Sequence, residues 1–292
     1  MQPTQQLPLL DLSTATIMVE EIPMISGVHE DVRRLIEQEE GGAEEISRLV
    51  ERDATVSQVV IHAANVAFYS PSRTVKTVNR AIALMGLNSV VKLIRQSTVS
   101  AALSPLAPPQ MAPFWRRVYS TAQTARLLAV STRTAFPEEA FTAALMQSVG
   151  QAMMMVKFPA EYEQVHERMR DPEAQLLDVE RDIFGATQVD LGYLLTRRWR
   201  LDEMLVKLVR YQFEPEKAEE LMPFSVMLYL AQTIVSGLGI GLLESYSLRN
   251  STVRPATWKT LGWNQLEFEP ICKQVVNSAE EFDGFYEVIS SA

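Results

Sequence analysis

Three histidines, His29, His62 and His166, and one cysteine, Cys272, are the chain's whole supply of imidazole and thiol. A catalytic divalent metal is held by deprotonated or lone-pair donors, chiefly imidazole and carboxylate, and then lowers the pKa of bound water. These histidines match no metal-ligand spacing. His62 lies among Val59, Val60, Ala63 and Ala64, and His166 lies in the charged run Glu161-Tyr162-Glu163-Gln164-Val165-His166-Glu167-Arg168. His62 is expected to flank a helix and reach solvent and His166 to sit on a charged surface helix, and either has the titration range of a pH-sensitive group. One cysteine excludes an intramolecular disulfide and a thiolate zinc site, and fits a reducing cytosol.

Other chemistries fail on their own geometry. Ser148-Val149-Gly150 has no glycine two residues before the serine and no histidine beside it to act as base, so it is not a nucleophile elbow. Gly237-Leu238-Gly239-Ile240-Gly241 follows a helix-patterned run rather than a strand and lacks a Lys-Ser/Thr ending, which makes it a helix terminus. The acid pairs Glu39-Glu40 and Glu44-Glu45 flank Gly41-Gly42 as solvated helix ends. Met153-Met154-Met155 is read as core filler, although methionine-rich surface also suits partner binding.

What remains is a set of glutamines. Ala140, Ala144, Gln147 and Gln151 fall at i, i+4, i+7 and i+11, so the two amides share a helix face with small alanines. Leu205, Leu208, Val209 and Gln212 share another face. If those faces meet, Gln147, Gln212 and Gln232 approach one another and must satisfy each other or bound water. The preferred reading is a buried hydrogen-bonded plug, and the other is a pocket for a polar ligand.

The elements that would position these residues are helical. At 292 residues and 47% hydrophobic, the chain has ample material for a packed core and a length prior of about two domains. No run shows sustained period-2 alternation, so the fold class is all-α. Residues 1–30 read as a lead-in without the basic region of a signal peptide. Helical periodicity begins with Val32, Leu35 and Ile36, and Asp53 is an N-cap for a helix carrying Val56, Val59, Val60, Ala63, Ala64 and Ala67. Residues 31–104 therefore form an N-terminal helical subdomain. The segment Ser104 to Pro113 holds four prolines and cannot continue a helix. Beyond it, 114–243 form a second helical subdomain, with one helix expected from Glu138 to Phe158, stopped by Pro159, and others over Glu161–Arg170, Gln175–Phe184, Gln188–Trp199 and Asp202–Phe213.

Residues 244–292 form a C-terminal helical extension whose Trp258, Trp263 and Phe268 could dock on the body or face a partner. Met222 to Leu243 runs without a charge for about the length of a membrane span. Its Pro223, polar residues and glycines, with Phe224, Leu228, Ala231, Val235, Leu238 and Leu242 at helical spacing, favour a buried core helix instead. A net charge of −9 argues against nucleic acid or an anionic membrane as main partner, because phosphate binding needs clustered Lys and Arg. The one basic cluster, Arg197-Arg198-Trp199-Arg200, is read as a solvated helix face.

Six landmarks carry a family resemblance over roughly Ile46 to Leu243. They are Ala64-Asn65-Val66-Ala67-Phe68-Tyr69 followed by Met85-Gly86-Leu87, then Trp115-Arg116-Arg117, the stretch Phe141 to Gln151, Val179 to Gln188, Val209 to Pro215, and Leu230-Ala231-Gln232. Together they resemble the HD-related output domain, HDOD, a relative of the HD phosphohydrolase superfamily. The resemblance implies a multi-helix fold, an N-terminal helical subdomain packed on a degenerate HD-type bundle. It also places the superfamily's ligands. A histidine is replaced by Arg117, the His-Asp pair by Gln147 and Ser148, and the following lysine by Gln151. Gln188 stands for another histidine, Gln212 and Phe213 for a His-His pair, and Gln232 for an aspartate. An amide keeps hydrogen-bonding capacity but is a poor transition-metal ligand and no general base.

These substitutions imply no catalysis, no metal and no cofactor. The expected function is that of a bacterial, cytoplasmic signal-transduction scaffold or output protein that acts by binding other proteins. The alternative is a sensor that takes a nucleotide or other small polar ligand in the vestigial pocket. By resemblance the partners belong to two-component or cyclic-dinucleotide signalling systems, without nucleic acid or membrane, and a homodimer is compatible with this picture.

Overall fold

The computed structural model describes residues 28–37, 42–67, 75–91, 94, 103–240, 268–278 and 282–290. Among these residues every regular element is helical, so the protein is all-α. The chain divides into two compact units, one over 23–103 and one whose described part lies within 104–291.

The first unit contains α1 (Val28–Glu37), α2 (Ala43–Val50), α3 (Ala54–Ala67) and α4 (Val78–Met85). Apolar positions predicted from sequence, Val32, Val60 and Ala64, are buried in its core together with Ile46 and Ile82. Asp53 caps α3 by accepting from Val56 N at 3.0 Å, which satisfies one of the four orphan donors of a helix start. Asn65 is placed by its two-sided amide. Its Nδ2 donates to Ile61 O and Val75 O, both at 2.9 Å, and its Oδ1 accepts from Val75 N at 2.7 Å. One side chain thus ties the end of α3 to the segment that leads into α4. Gly86, at φ 81°, ends α4 in a conformation that a Cβ would disfavour.

The second unit is built on α5 (Ala112–Thr132), which follows 3-10 turns at Ser104–Leu106 and Pro109–Met111. The proline-rich entry is anchored by Trp115, whose fully buried indole donates to Leu106 O at 2.9 Å. Then follow α6 (Pro137–Gln147), α7 (Val149–Lys157), α8 (Pro159–Arg168), α9 (Leu176–Phe184), α10 (Gln188–Arg198), α11 (Glu203–Arg210), a 3-10 segment at Pro215–Leu221, and α12 (Met222–Gly237). The chain ends with α13 (Phe268–Ser278) and α14 (Phe282–Ser290). Helix α5 packs against α6, α12, α13 and α14, while α10 packs against α7 and α11.

Three expectations change. The single helix predicted from Glu138 to Phe158 is two helices that meet at Ser148, where Ser148 N–H bonds Leu145 O at 3.2 Å in a tightened turn. The helix predicted to run to Phe213 ends at Arg210, so Gln212 and Phe213 lie in the turn beyond it. His166 is not a solvent-reaching flank, because α8 folds its Tyr162 and Val165 face inward. Its side chain is only 13% exposed and stands edge-on to Tyr162 at 5.3 Å. The side chains of His29 and His62, and all of Trp258 and Trp263 and the side chain of Phe268, lie outside the described residues. Trp199 of the basic cluster is buried, with Arg197 and Arg200 exposed beside it. The apolar run at Met222 gives a 16-residue helix, and among the described residues no helix is long and apolar enough to cross a membrane.

Candidate functional site

Gln147 stands at the joint between α6 and α7, 1% exposed. Its Nε2 donates to Leu208 O on α11 at 3.0 Å, and its own carbonyl accepts from Gln212 Nε2 at 3.1 Å. Gln232 on α12 completes the set, donating to Gln147 Oε1 at 2.9 Å and more weakly to Gln212 Oε1 at 3.5 Å. Gln212 Nε2 also reaches Val209 O at 3.2 Å. Gln147, Gln212 and Gln232 therefore meet, and their amides bond to one another and to backbone carbonyls. Buried amides left without partners would each cost about 1–3 kcal/mol, which is what this pairing avoids.

A second network runs through the neighbouring helices. Arg117 on α5 donates to Gln151 Oε1 at 2.6 Å, Gln151 Nε2 donates to Tyr162 Oη at 2.8 Å, and Tyr162 Oη donates to Glu180 Oε1 at 3.3 Å. Glu180 also accepts from Gln188, by its backbone N at 2.8 Å and by its Nε2 at 3.1 Å. Five side chains from α5, α7, α8, α9 and α10 form this line. Its one carboxyl, Glu180, is fully buried. Burial pushes Glu180 up to about 8, against the bonds from Gln188 and Tyr162 that favour its charged form.

Beside it Asp190 behaves oppositely. Burial raises its carboxyl, but hydrogen bonds from Thr187 and Arg210 outweigh that and hold it below its ordinary range. Asp190 and Thr187 form a reciprocal cap on the start of α10, and Arg210 reaches Asp190 Oδ1 at 2.8 Å. The cap fixes Gln188 as the first helical residue, with its N–H turned to Glu180.

Glu180 and Tyr162 are the two members of the site that a search for lost metal ligands does not find. Glu180 had a signal in its spacing, since Leu176, Glu180 and Phe184 fall at i, i+4 and i+8 and Phe184 is fully buried. Of the positions named from sequence, Arg117, Gln151 and Gln188 join the second network and Gln147, Gln212 and Gln232 the first. Ser148 contributes its backbone to the helix joint. Phe213, half-buried, brings no polar atom to either network.

A divalent metal does not fit this set of donors. The positions that the family resemblance assigns to the superfamily's ligands hold a guanidinium, amides, a hydroxyl and a phenyl ring, and among the described residues no group of three or more His, Cys, Asp or Glu could hold a metal ion. Glu180, the one carboxyl in the line, meets hydrogen-bond donors from protein on both oxygens.

Comparison with known proteins bears on the same residues. The HDOD domain matches residues 22–215. No protein of curated function matches the chain. Among solved structures, a Shewanella amazonensis SB2B protein named provisionally as a phosphohydrolase shares 21% identity, with 94% of this chain and 98% of that chain covered and a TM-score of 0.65. An HDOD domain protein of unknown function from Geobacter sulfurreducens shares 19% identity over 96% and 99% of the two chains, with a TM-score of 0.62. A protein from Marinobacter aquaeolei VT8 named provisionally for signal transduction shares 19% over 98% of this chain and 62% of that longer one, with a TM-score of 0.68. At such identities the likeness is one of fold.

Proposed function

This chain belongs to the HDOD family, and from that premise we propose that it is a non-catalytic signalling protein that works by binding another protein. One observation carries the reading. Of the eight positions that the resemblance assigns to the HD site, six hold amides or a guanidinium, at Arg117, Gln147, Gln151, Gln188, Gln212 and Gln232, and these hydrogen-bond to one another, to backbone, to Tyr162 and to Glu180. A catalytic centre needs donors aimed at an ion or a substrate, and here they are aimed at protein. The retained fold is then what function uses. The name of the Marinobacter relative supports signalling as the setting, and the two-component or cyclic-dinucleotide class of partner comes from the family resemblance alone.

The test is metal analysis of the purified protein together with phosphodiesterase and nucleotidase assays. Substoichiometric metal and no turnover are expected, and a stoichiometric divalent ion with turnover would overturn the proposal. A thermal-shift series with nucleotides separates it from a ligand sensor. A ligand at 100 times its dissociation constant adds about 2.7 kcal/mol to stability, so binding would appear as a clear rise in melting temperature. No rise is expected.

A further inference from the structure

Charge is unevenly placed along the chain. Between Asp53 and Glu138 there are nine Lys and Arg and no acidic residue, so the rest of a chain of net charge −9 carries −18. With 36 Asp and Glu in 292 residues, a run of that length would hold about ten of them if they were evenly spread. In the first unit the run covers α3, α4 and the residues after α4, whereas Glu30 to Asp53 holds nine acids against four arginines. Helix α4 carries part of the run at the surface. Its Val78, Ala81 and Ile82 are buried in the core. Lys76 stands immediately before the N-cap Thr77, and Arg80 lies in the first turn. Among the described residues both are exposed and take part in no ion pair. In the same unit Arg34 pairs with Asp31, and Arg48 with Glu44 and Glu45. The two cations work against their own helix, because a helix start carries partial positive charge and favours acids, and α4 has none in its first turn. One turn on from Arg80, Leu84 is half-buried, as are Met85, Leu87 and Val91, and all four pack on the core while leaving part of their surface in water.

We propose that the outward side of α4, continued past Gly86 by the helical residues 87–91, is a docking surface for a protein segment rich in Asp and Glu with apolar residues among them. This rests on the reading of the chain as one that binds another protein, and it names the surface and the partner's chemistry. Charge complementarity identifies the occupant, since a run of cations without one acid has an anionic surface as its counterpart. The apolar positions select protein over nucleic acid. A nucleic-acid face belongs to a strongly basic domain, whereas residues 23–103 hold nine charges of each sign and are neutral as a whole. Half-buried Leu84, Met85 and Leu87 beside exposed cations have the make-up of a protein interface, an apolar centre with a charged rim. Lys76 and Arg80 steer the acidic segment to the start of α4, and the apolar positions hold it there.

The experiment uses the full chain and fluorescence anisotropy with a labelled synthetic peptide of repeated Glu-Glu-Leu, set against a Lys-Lys-Leu peptide and a single-stranded DNA of equal charge. On net charge alone a −9 chain repels the first peptide and attracts the second. The reverse is expected, with Glu-Glu-Leu bound at least tenfold more tightly than either competitor and released as salt rises. Lys76→Glu with Arg80→Glu should weaken that binding at least tenfold. Arg197→Glu with Arg200→Glu, the same change of charge at two exposed arginines of the second unit, should weaken it less than twofold. The first variant puts carboxylates at the start of α4, where the helix favours them, so it should melt no lower than the unmodified chain. If it does melt lower, Lys76→Gln with Arg80→Gln decides, with at least a threefold loss expected and an unchanged affinity fatal. Preference for Lys-Lys-Leu, no measurable binding of Glu-Glu-Leu, equal loss in the two Glu variants, or DNA bound more tightly than the peptide would each overturn the proposal. None of these outcomes depends on metal content or turnover, so the surface can fail while the non-catalytic reading stands.

Discussion

Glu180 holds a proton that an exposed carboxyl would have lost. Its folded pKa of about 8 stands above the ordinary 4.5, so between those values the native chain binds a proton that the unfolded chain has released. Native proton uptake in that window makes stability fall as pH rises, by at most about 1.4 kcal/mol per pH unit for one group, and the contribution levels off above about pH 8. Asp190, depressed below its ordinary range, titrates under this window and does not cancel it. Glu180→Gln removes the titration and keeps a similar volume, with the Gln188 and Tyr162 groups free to reorient toward an amide. Urea unfolding of both proteins at pH 5.5 and 7.5 should therefore show a smaller drop for the variant. The variant should also be the more stable of the two at pH 8. Equal pH slopes would mean that the carboxyl is ionised throughout.

The arrangement of helices that creates this site depends on one backbone contact. A Cβ on Gly150 of α7 would overlap the Gln188 carbonyl oxygen and come within 2.5 Å of Gly192 N, both backbone atoms of α10. Backbone cannot rotate away, so Gly150→Ala has to push α7 off α10 and should cost about 3 kcal/mol or more. At Gly192 the nearest obstacle is a Val209 methyl at 3.1 Å, which can shift, so Gly192→Ala should cost about 1 kcal/mol. The ranking of the two variants in urea is the check, and comparable losses would contradict the close approach. This contact also marks where the sequence stops being legible. Periodicity carries the existence of α5 to α12, because apolar positions recurring at 3.6 residues must face a core. It does not carry the joint at Ser148: Gly150 beside the joint permits the close approach to α10, but the backbone it meets, at Gln188 and Gly192, lies far along the chain and periodicity does not pair them. Gln212 shows the same limit, because it reaches Gln147 from a turn beyond α11 rather than from the helical face its spacing suggests. Glu180 escapes notice for a different reason: a buried acid looks like a surface acid until its helix neighbours are known to be inside.

A metal centre of the HD type is a property of the whole second unit, because its positions here are spread over α5, α6, the α6–α7 joint, α10, the turn after α11, and α12. On the non-catalytic reading proposed above, absence of the ligands and closure of the amide networks go together, and restoring part of the motif should not restore the centre. In Gln147→His with Ser148→Asp the superfamily's pair returns, yet Arg117, Gln188, Gln212 and Gln232 still fill the remaining positions, and Arg117 brings a positive charge to them. The same double change removes the Gln147 amide, which donates to Leu208 O and accepts from Gln232, and so leaves a buried carbonyl and a half-buried amide seeking new partners. Each such loss costs about 1–3 kcal/mol, so the double variant should be destabilised by about 2–6 kcal/mol. Metal analysis after dialysis against zinc or manganese should still give well below one ion per chain. A stoichiometric ion with unchanged stability would show that the centre is latent and the amide network incidental. The expected result, lower stability with no ion gained, would show that packing now depends on the residues that took the ligands' places.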